Sequence, residues 1–321
     1  MRIEFEVAET LKQIALDEEI KAYVLQHPSL YQPLLQAALR FIGGETLADC
    51  VETAKSLNQQ GFAVTIDYMG ESTRDTDMAQ QATQEFLHVI QVIAEQHLDS
   101  SVSLDLSHIG MVIDAELGYK NACVLAEAAQ KVGLEVMISM EGTDRTSLIL
   151  EIHRRLCETF DNVGITLQAY LHRTPDDLER ALQRPGKIRL VKGAYATPDG
   201  LAKPRGAELD EAYRQLMNRL ITSGHRCSIA THDPALLDLI PLDYAHRLIQ
   251  EQGIKLDLIE FEMLQGVTQE RLEALKNQRY RTRVYLPYGQ EWHLYLCNRL
   301  AEYPPNIYQA ITDAVRDKYG R

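Results

Sequence analysis

Residues 164–195, GITLQAYLHRTPDDLERALQRPGKIRLVKGAY, decide how the rest of this chain is read. They spell strand, helix, strand: an apolar run at 164–169, an acidic cap (Thr174, Pro175, Asp176, Asp177), a short amphipathic helix, then Ile188–Val191. Thr174 suits an N-cap, and Pro175 suits the first helical position, where its missing N–H costs nothing. Parallel α/β folds carry functional groups at the carboxyl ends of their strands. Gln168 stands at one such end; Arg189, Lys192, Gly193, Ala194 and Tyr195 crowd the other. A cationic pair spaced by Leu190 and Val191, beside a Gly-Ala turn, favours an anion or cofactor site over a solvated helix cap.

Working outward, the same unit recurs from Gly61 onward: turn, short β-branched run, turn, helix. The runs at 62–67, 102–106, 135–140, 164–169, 188–191, 227–230, 257–261 and 283–286 predict strands, with helical patterns between them at 78–96, 115–132, 148–160 and 234–252. Runs apolar on both faces indicate a parallel sheet covered by helices. Eight such units in about 250 residues predict an α/β fold, a (β/α)8 TIM-type barrel. A doubly wound open sheet is the alternative, weakened because no GxGxxG follows an early strand. Residues 1–60 read as an N-terminal helical segment, with Leu11, Ile14, Ala15 and Ile20 on one stripe and Leu34, Leu35, Ala38, Leu39 and Phe41 on another. Pro28 and Pro33 are expected to break the two apart. Residues 61–321 are then the barrel. Its site is expected at Asp67, Tyr68, Glu71, Asp105, Ser107, Ser139, Glu141, Gln168, Arg189, Lys192, Thr231, His232, Glu262, Leu264 and Tyr285.

The net charge of −13 over 321 residues argues against a nucleic-acid partner, which wants a basic face. No apolar run approaches the roughly 18 residues needed to span a bilayer. The acidic, amphipathic N-terminus reads as neither a signal nor a transit peptide. Five scattered cysteines without a CxxC pair fit a reducing cytosol and small buried hydrophobes.

Three constellations bear on chemistry. No HxH or HxxxH stands at a strand end, so no metal is expected. Lys192 is the one Schiff-base candidate among the strand ends, but its neighbours suit an anion cradle better, and backbone N–H groups at Gly193-Ala194 and Thr231-His232 suit a pyrophosphate. If residues 295–302 are helical, Tyr295, Asn298, Arg299 and Glu302 share one face. A surface ion pair is the bland account of Arg299 and Glu302; a site wall suits the aromatic, polar face as well.

The motifs QAYL-x-RT, IRLVKGAY, ATHD, EFEML-x-G, VYLPYG-x-x-W and RLAE-x-P-x-N, in this order from about residue 40 to residue 306, resemble the proline dehydrogenase family. The resemblance implies a distorted (β/α)8 barrel with non-covalent FAD over its strand ends. It also implies oxidation of L-proline to pyrroline-5-carboxylate, with electrons passed to a quinone or other acceptor. Gln168, Arg189, Val191, Lys192, Gly193, Ala194, Tyr195, Thr231, His232, Glu262 and Glu302 match cofactor-binding positions. Arg299 matches a residue touching flavin and substrate carboxylate; Leu264, Tyr285 and Tyr295 match pocket walls; Glu71 matches the glutamate supporting paired arginines. A cytoplasmic protein is expected, with at most peripheral contact at the inner face of the membrane.

Departures cluster on the substrate side. Asp105 (SLDLSHIG) stands where the family has a carboxylate-gripping lysine, and Ser139 (ISMEG) where it has an aspartate. Asn298-Arg299 replaces paired arginines, Glu262 a glutamine, and Ala196 an aromatic. Positive charge leaves the substrate side while flavin-side residues stay. The leading expectation is a flavin-dependent dehydrogenase acting on an amine or imino compound lacking the usual carboxylate. The alternatives are L-proline dehydrogenase with a rearranged grip, using Arg299 with Arg74 or His108, and a catalytically silent flavin-binding protein.

Overall fold

The computed structural model describes residues 2–232, 251, 253, 255–302, 306–308 and 310–312. Its strands, β1 (Ala63–Tyr68), β2 (Ser100–Leu104), β3 (Val136–Ile138), β4 (Val163–Gln168), β5 (Ile188–Val191), β6 (Cys227–Ala230), β7 (Ile259–Leu264) and β8 (Arg281–Tyr288), close into one parallel barrel in sequence order. This is the (β/α)8 barrel that the repeat predicts. β5 and β6 begin and end where the sequence places them. β7 starts two residues later than expected because Leu256–Leu258 forms a 3-10 turn. The helical pattern at 234–252 lies outside the described residues except for its tail.

Helices α1 (Arg2–Ala15), α2 (Glu18–Gln26), α3 (Pro28–Ala38) and α4 (Leu47–Gln59) precede β1; α5 (Thr76–Glu95), α6 (Ala115–Lys131), α7 (Thr146–Leu156), α8 (Thr174–Ala181) and α9 (Ala207–Thr222) follow β1 to β5 in turn. α10 (Gln269–Asn277) follows β7 and α11 (Trp292–Glu302) follows β8. Local sequence explains the long ones. Asp75 caps α5 by accepting from the Met78 N–H at 2.9 Å, and Asp114 caps α6 through Leu117 in the same way. Ala79, Ala82, Phe86, Val89, Ile90 and Ile93 then bury one face of α5. Each large side chain among them contributes about 1.5–3 kcal/mol.

Two expectations fail locally. Pro33 does not separate helices; it lies inside α3, where buried Leu35, Ala37 and Ala38 hold the turn in place. That packing offsets a proline penalty of about 3 kcal/mol. Thr174 is not the N-cap of α8 but its first residue. Its hydroxyl donates instead to the carbonyl of Gln168 at the end of β4.

The chain divides into two compact units, residues 54–285 and residues 1–53 with 286–321. In the second, α11 packs on α1 and α3, the Trp292 indole donates to Glu45 at 3.0 Å, and Lys21 pairs with Glu291 at 2.6 Å. Among the described residues, no helix is long and apolar enough to cross a membrane.

Candidate active site

The barrel lumen is ionic. Alternation along a strand sends every second side chain inward, and at Lys187-x-Arg189, Glu260-x-Glu262 and Arg283-x-Tyr285 those side chains are polar. In the lower layer, Lys187 Nζ and Arg283 Nε meet Glu260 Oε1 at 2.7 and 2.9 Å, and Lys187 also reaches Glu135 at 2.7 Å. Burial alone would raise the Glu260 carboxyl, but Arg283 and Lys187 outweigh it and hold Glu260 well below the usual carboxylate range.

One layer up, Arg189 donates Nε to Glu262 Oε2 at 2.9 Å and Nη2 to Oε1 at 3.1 Å. Its Nη1 reaches Ser103 Oγ at 3.2 Å and Thr166 Oγ1 at 3.4 Å. Glu262 also accepts from Thr65 at 2.9 Å and Ser228 at 2.7 Å. Six strands thus meet in one satisfied network, which seals the lumen beneath the strand ends.

Above that seal, Asp67, Asp105, Ser139, Val191 and Leu264 are half-buried at the ends of β1, β2, β3, β5 and β7, and Tyr285, half-buried within β8, is level with Leu264. The Tyr285 hydroxyl donates to Asp67 Oδ2 at 2.7 Å, and its ring centre lies 5.1 Å from the Arg189 guanidinium carbon. Burial pushes the Asp67 carboxyl up to about 6, against the pull of Tyr285 and Arg189. Asp105 is raised well above the carboxylate range by burial first, then by Glu141, Asp67 and Glu71; a hydrogen bond with Ser139 opposes this. Among the described cations of this unit near the strand ends, Arg189 pairs with Glu262, Lys192 with Asp210 at 2.7 Å and Arg145 with Glu141 at 2.7 Å. The mouth therefore carries raised carboxyls beside these three paired cations.

Gln168 ends β4 with its Oε1 buried and without a partner, and the hydroxyl of Tyr170 is likewise buried and unpaired. Gly193 follows β5 with φ +106°, and a Cβ there would lie 2.2 Å from the Tyr170 ring. Thr231 and His232 directly follow β6, and Ala194 and Tyr195 are exposed beyond Gly193. Unspent polar atoms beside a side-chain-free turn fit the polar edge of a flavin, so these residues are compatible with FAD. Arg189 would meet such a ring only with its charge already shared with Glu262.

The structure thus gathers Asp105, Ser139, Leu264, Tyr285, Gln168, Arg189, Val191 and Glu262 around one barrel end, while Glu71 is exposed in the loop after β1. Tyr295, Asn298, Arg299 and Glu302 lie on α11 in the other unit, where Arg299 Nη2 meets Glu302 at 2.6 Å and its guanidinium carbon lies 5.1 Å from the Tyr295 ring centre. Sequence reasoning named Asp67 only as a strand-end residue and gave it no role. Its bond to Tyr285 comes from opposite ends of the unit, and no spacing signals it.

The sequence profile of the proline dehydrogenase family matches residues 50–306. Proline dehydrogenase 2 of Bacillus subtilis (strain 168) is 36% identical over 271 residues, 84% of this chain and 88% of that protein. The proline dehydrogenase of Deinococcus radiodurans is 31% identical over 280 residues, 86% and 89% of the two chains. The solved structure of proline utilization A (PutA) from Bdellovibrio bacteriovorus, inactivated by N-propargylglycine, aligns with a TM-score of 0.78. It shares 19% identity, and the alignment covers 98% of this chain but 39% of that one, a likeness of fold.

Proposed function

Because this chain belongs to the proline dehydrogenase family, a family of FAD-dependent oxidoreductases acting on CH–NH groups, we propose that it oxidises an amine or imino compound lacking a free carboxylate. Non-covalent FAD would be held at the ends of β4, β5 and β6 by Gln168, Arg189, Val191, Lys192, Gly193, Ala194, Tyr195, Thr231 and His232, with Glu262 behind Arg189. The flavin supplies the hydride acceptor. Asp105, Ser139, Leu264 and Tyr285 shape the substrate end of the barrel. Electrons leave to a quinone or another acceptor, with at most peripheral membrane contact.

One observation carries the choice of substrate. By resemblance Asp105 stands where the family has a lysine, and it feels Ser139 through a hydrogen bond and the charges of Glu141, Asp67 and Glu71. An ionised Asp105 would stabilise an ammonium group there and repel a carboxylate. L-Proline itself is the second reading. It is favoured by the 31–36% identity to proteins named proline dehydrogenase and by the burial and neighbouring carboxyls that raise Asp105 toward its neutral form.

The test is anaerobic flavin bleaching with L-proline, pyrrolidine and a panel of acyclic amines. Bleaching by pyrrolidine or another amine at far lower concentration than L-proline supports the proposal. Preferential bleaching by L-proline selects the second reading. A purified protein that is colourless and takes up no added FAD overturns both.

A further inference from the structure

CH–NH oxidation needs two departures, a hydride from carbon and a proton from nitrogen, because an ammonium nitrogen has no lone pair to form the C=N bond. We propose that Asp67 is the group that takes this proton, held ready by the Tyr285 hydroxyl. The proposal rests on the amine-oxidising function above and adds the residue that function leaves unnamed.

The geometry singles out Asp67. Its carboxylate stands at the end of β1, half-buried, directly above the sealed Arg189–Glu262 layer. Tyr285 occupies one oxygen, Oδ2, at 2.7 Å, leaving Oδ1 for a substrate N–H. The other carboxyls are less suited. Glu141 is buried and spent on Arg145 and the Ser107 N–H; Glu262 is fully used below.

The charged neighbours also fit. Tyr285 faces Asp67 from β8 and Arg189 from β5, each favouring the carboxylate, against burial, which opposes it; the balance lifts the group to about 6. Asp105 on the β2 side is influenced by Asp67, Glu71 and Glu141, and Tyr195 from the β5 loop by those three and Asp105. A base titrating near 6 is ionised at neutral pH and basic enough to accept a proton during turnover.

The substrate enters as R2CH–NH2⁺–R′, and one N–H proton passes to the Asp67 carboxylate. The freed lone pair forms the C=N bond as the C–H electron pair leaves as hydride to the flavin. The product is the iminium R2C=NH⁺–R′, and Asp67 returns its proton to water.

Two measurements on the FAD-loaded protein test this. Infrared difference titration should show a carboxylic-acid C=O band that disappears as pH rises through about 6. The band should be absent in Asp67→Asn and moved upward by roughly one to two pH units in Tyr285→Phe, which removes a hydrogen bond to the carboxylate. The rate of flavin bleaching by pyrrolidine should rise through the same pH. Asp67→Asn should lose that limb and fall about 100-fold or more at neutral pH, while Tyr285→Phe should move the limb upward with the infrared band. A merely structural role for Tyr285 lowers the rate without moving the limb. An unmoved limb in Tyr285→Phe, or a retained one in Asp67→Asn, overturns the proposal. If Asp67→Asn does not fold, the limb shift in Tyr285→Phe decides alone. If the infrared band behaves as expected but no amine bleaches the flavin, the proposed function fails and the catalytic role of Asp67 falls with it.

Discussion

Arg189 of β5 and Glu262 of β7 meet across the barrel lumen as a two-pronged ion pair, 4% and 2% exposed, with β6 between their strands. Both ions are saturated, so the pair serves as the floor of the site. Removing one partner leaves a buried, unpaired charge, which typically costs about 3–5 kcal/mol. Arg189→Ala should therefore lower unfolding free energy by that order, as guanidinium titration measures. Arg189→Met with Glu262→Leu should recover most of the loss. Arg180→Ala, a surface change, should do little to stability or flavin retention. If Arg189→Ala is as stable as the parent, the pair is not the floor described.

The lower layer predicts a pH dependence. Burial raises Glu260, but Arg283 and Lys187 overcome it and lower its folded pKa below the ordinary 4.5. A depressed acid contributes stability that is complete above its unfolded pKa and is lost as pH falls through the folded value. Asp67, raised from 3.8 to about 6, acts in the opposite sense, its stability falling as pH rises between those values. The difference between parent and Glu260→Gln isolates the first effect. Urea unfolding should show Glu260→Gln less stable at neutral pH, with the gap closing below about pH 4. A gap that stays constant into acid would show that Glu260 is not the titrating group.

Much of this was legible in the sequence, for physical reasons. Ile188–Val191 and Cys227–Ala230 were bounded correctly because short runs flanked by Gly or polar turns mark strand ends. The ionic lumen was not anticipated. Its signal was present as period-2 charge in Lys187-x-Arg189, Glu260-x-Glu262 and Arg281-x-Arg283, but a single strand does not tell which face is the lumen. The Tyr285–Asp67 bond, between residues 218 apart in the chain, is created by barrel closure and has no local trace.

Gly193 gives a third prediction. Its φ of +106° lies where a Cβ is strained, and that Cβ would meet the Tyr170 ring at 2.2 Å. Gly193→Val should displace either the turn or Tyr170, beside the unpaired Gln168 Oε1. Flavin retained through gel filtration should fall well below that of the parent, with a smaller fall for Gly193→Ala. The control Gly133→Ala, at φ +73° with nothing within 4 Å, carries backbone strain without the clash. Equal retention in Gly193→Val and Gly133→Ala would detach this turn from the cofactor.

The last prediction concerns L-proline. On the proposed reading Asp105 and Asn298 stand where the resemblance gives a lysine and an arginine, and losing two charge-assisted contacts would remove roughly 3–6 kcal/mol at about 1.5–3 kcal/mol each. An ionised Asp105 adds repulsion of about 4 kcal/mol at 4 Å and an effective dielectric near 20. Burial and the neighbouring Glu141, Asp67 and Glu71 raise Asp105, so a proton relieves the repulsion but supplies no cation. On that reading the contact loss alone would lower kcat/KM for L-proline by roughly two to four decades. Steady-state oxidation of L-proline by the parent should therefore be feeble, and Asp105→Lys with Asn298→Arg should raise it while weakening bleaching by pyrrolidine. The opposite movement of two substrates separates restored recognition from a general gain in folded protein. A parent efficiency of about 10⁴ M⁻¹s⁻¹ or more on L-proline, within the ordinary enzyme range, would show that the site grips a carboxylate without those cations.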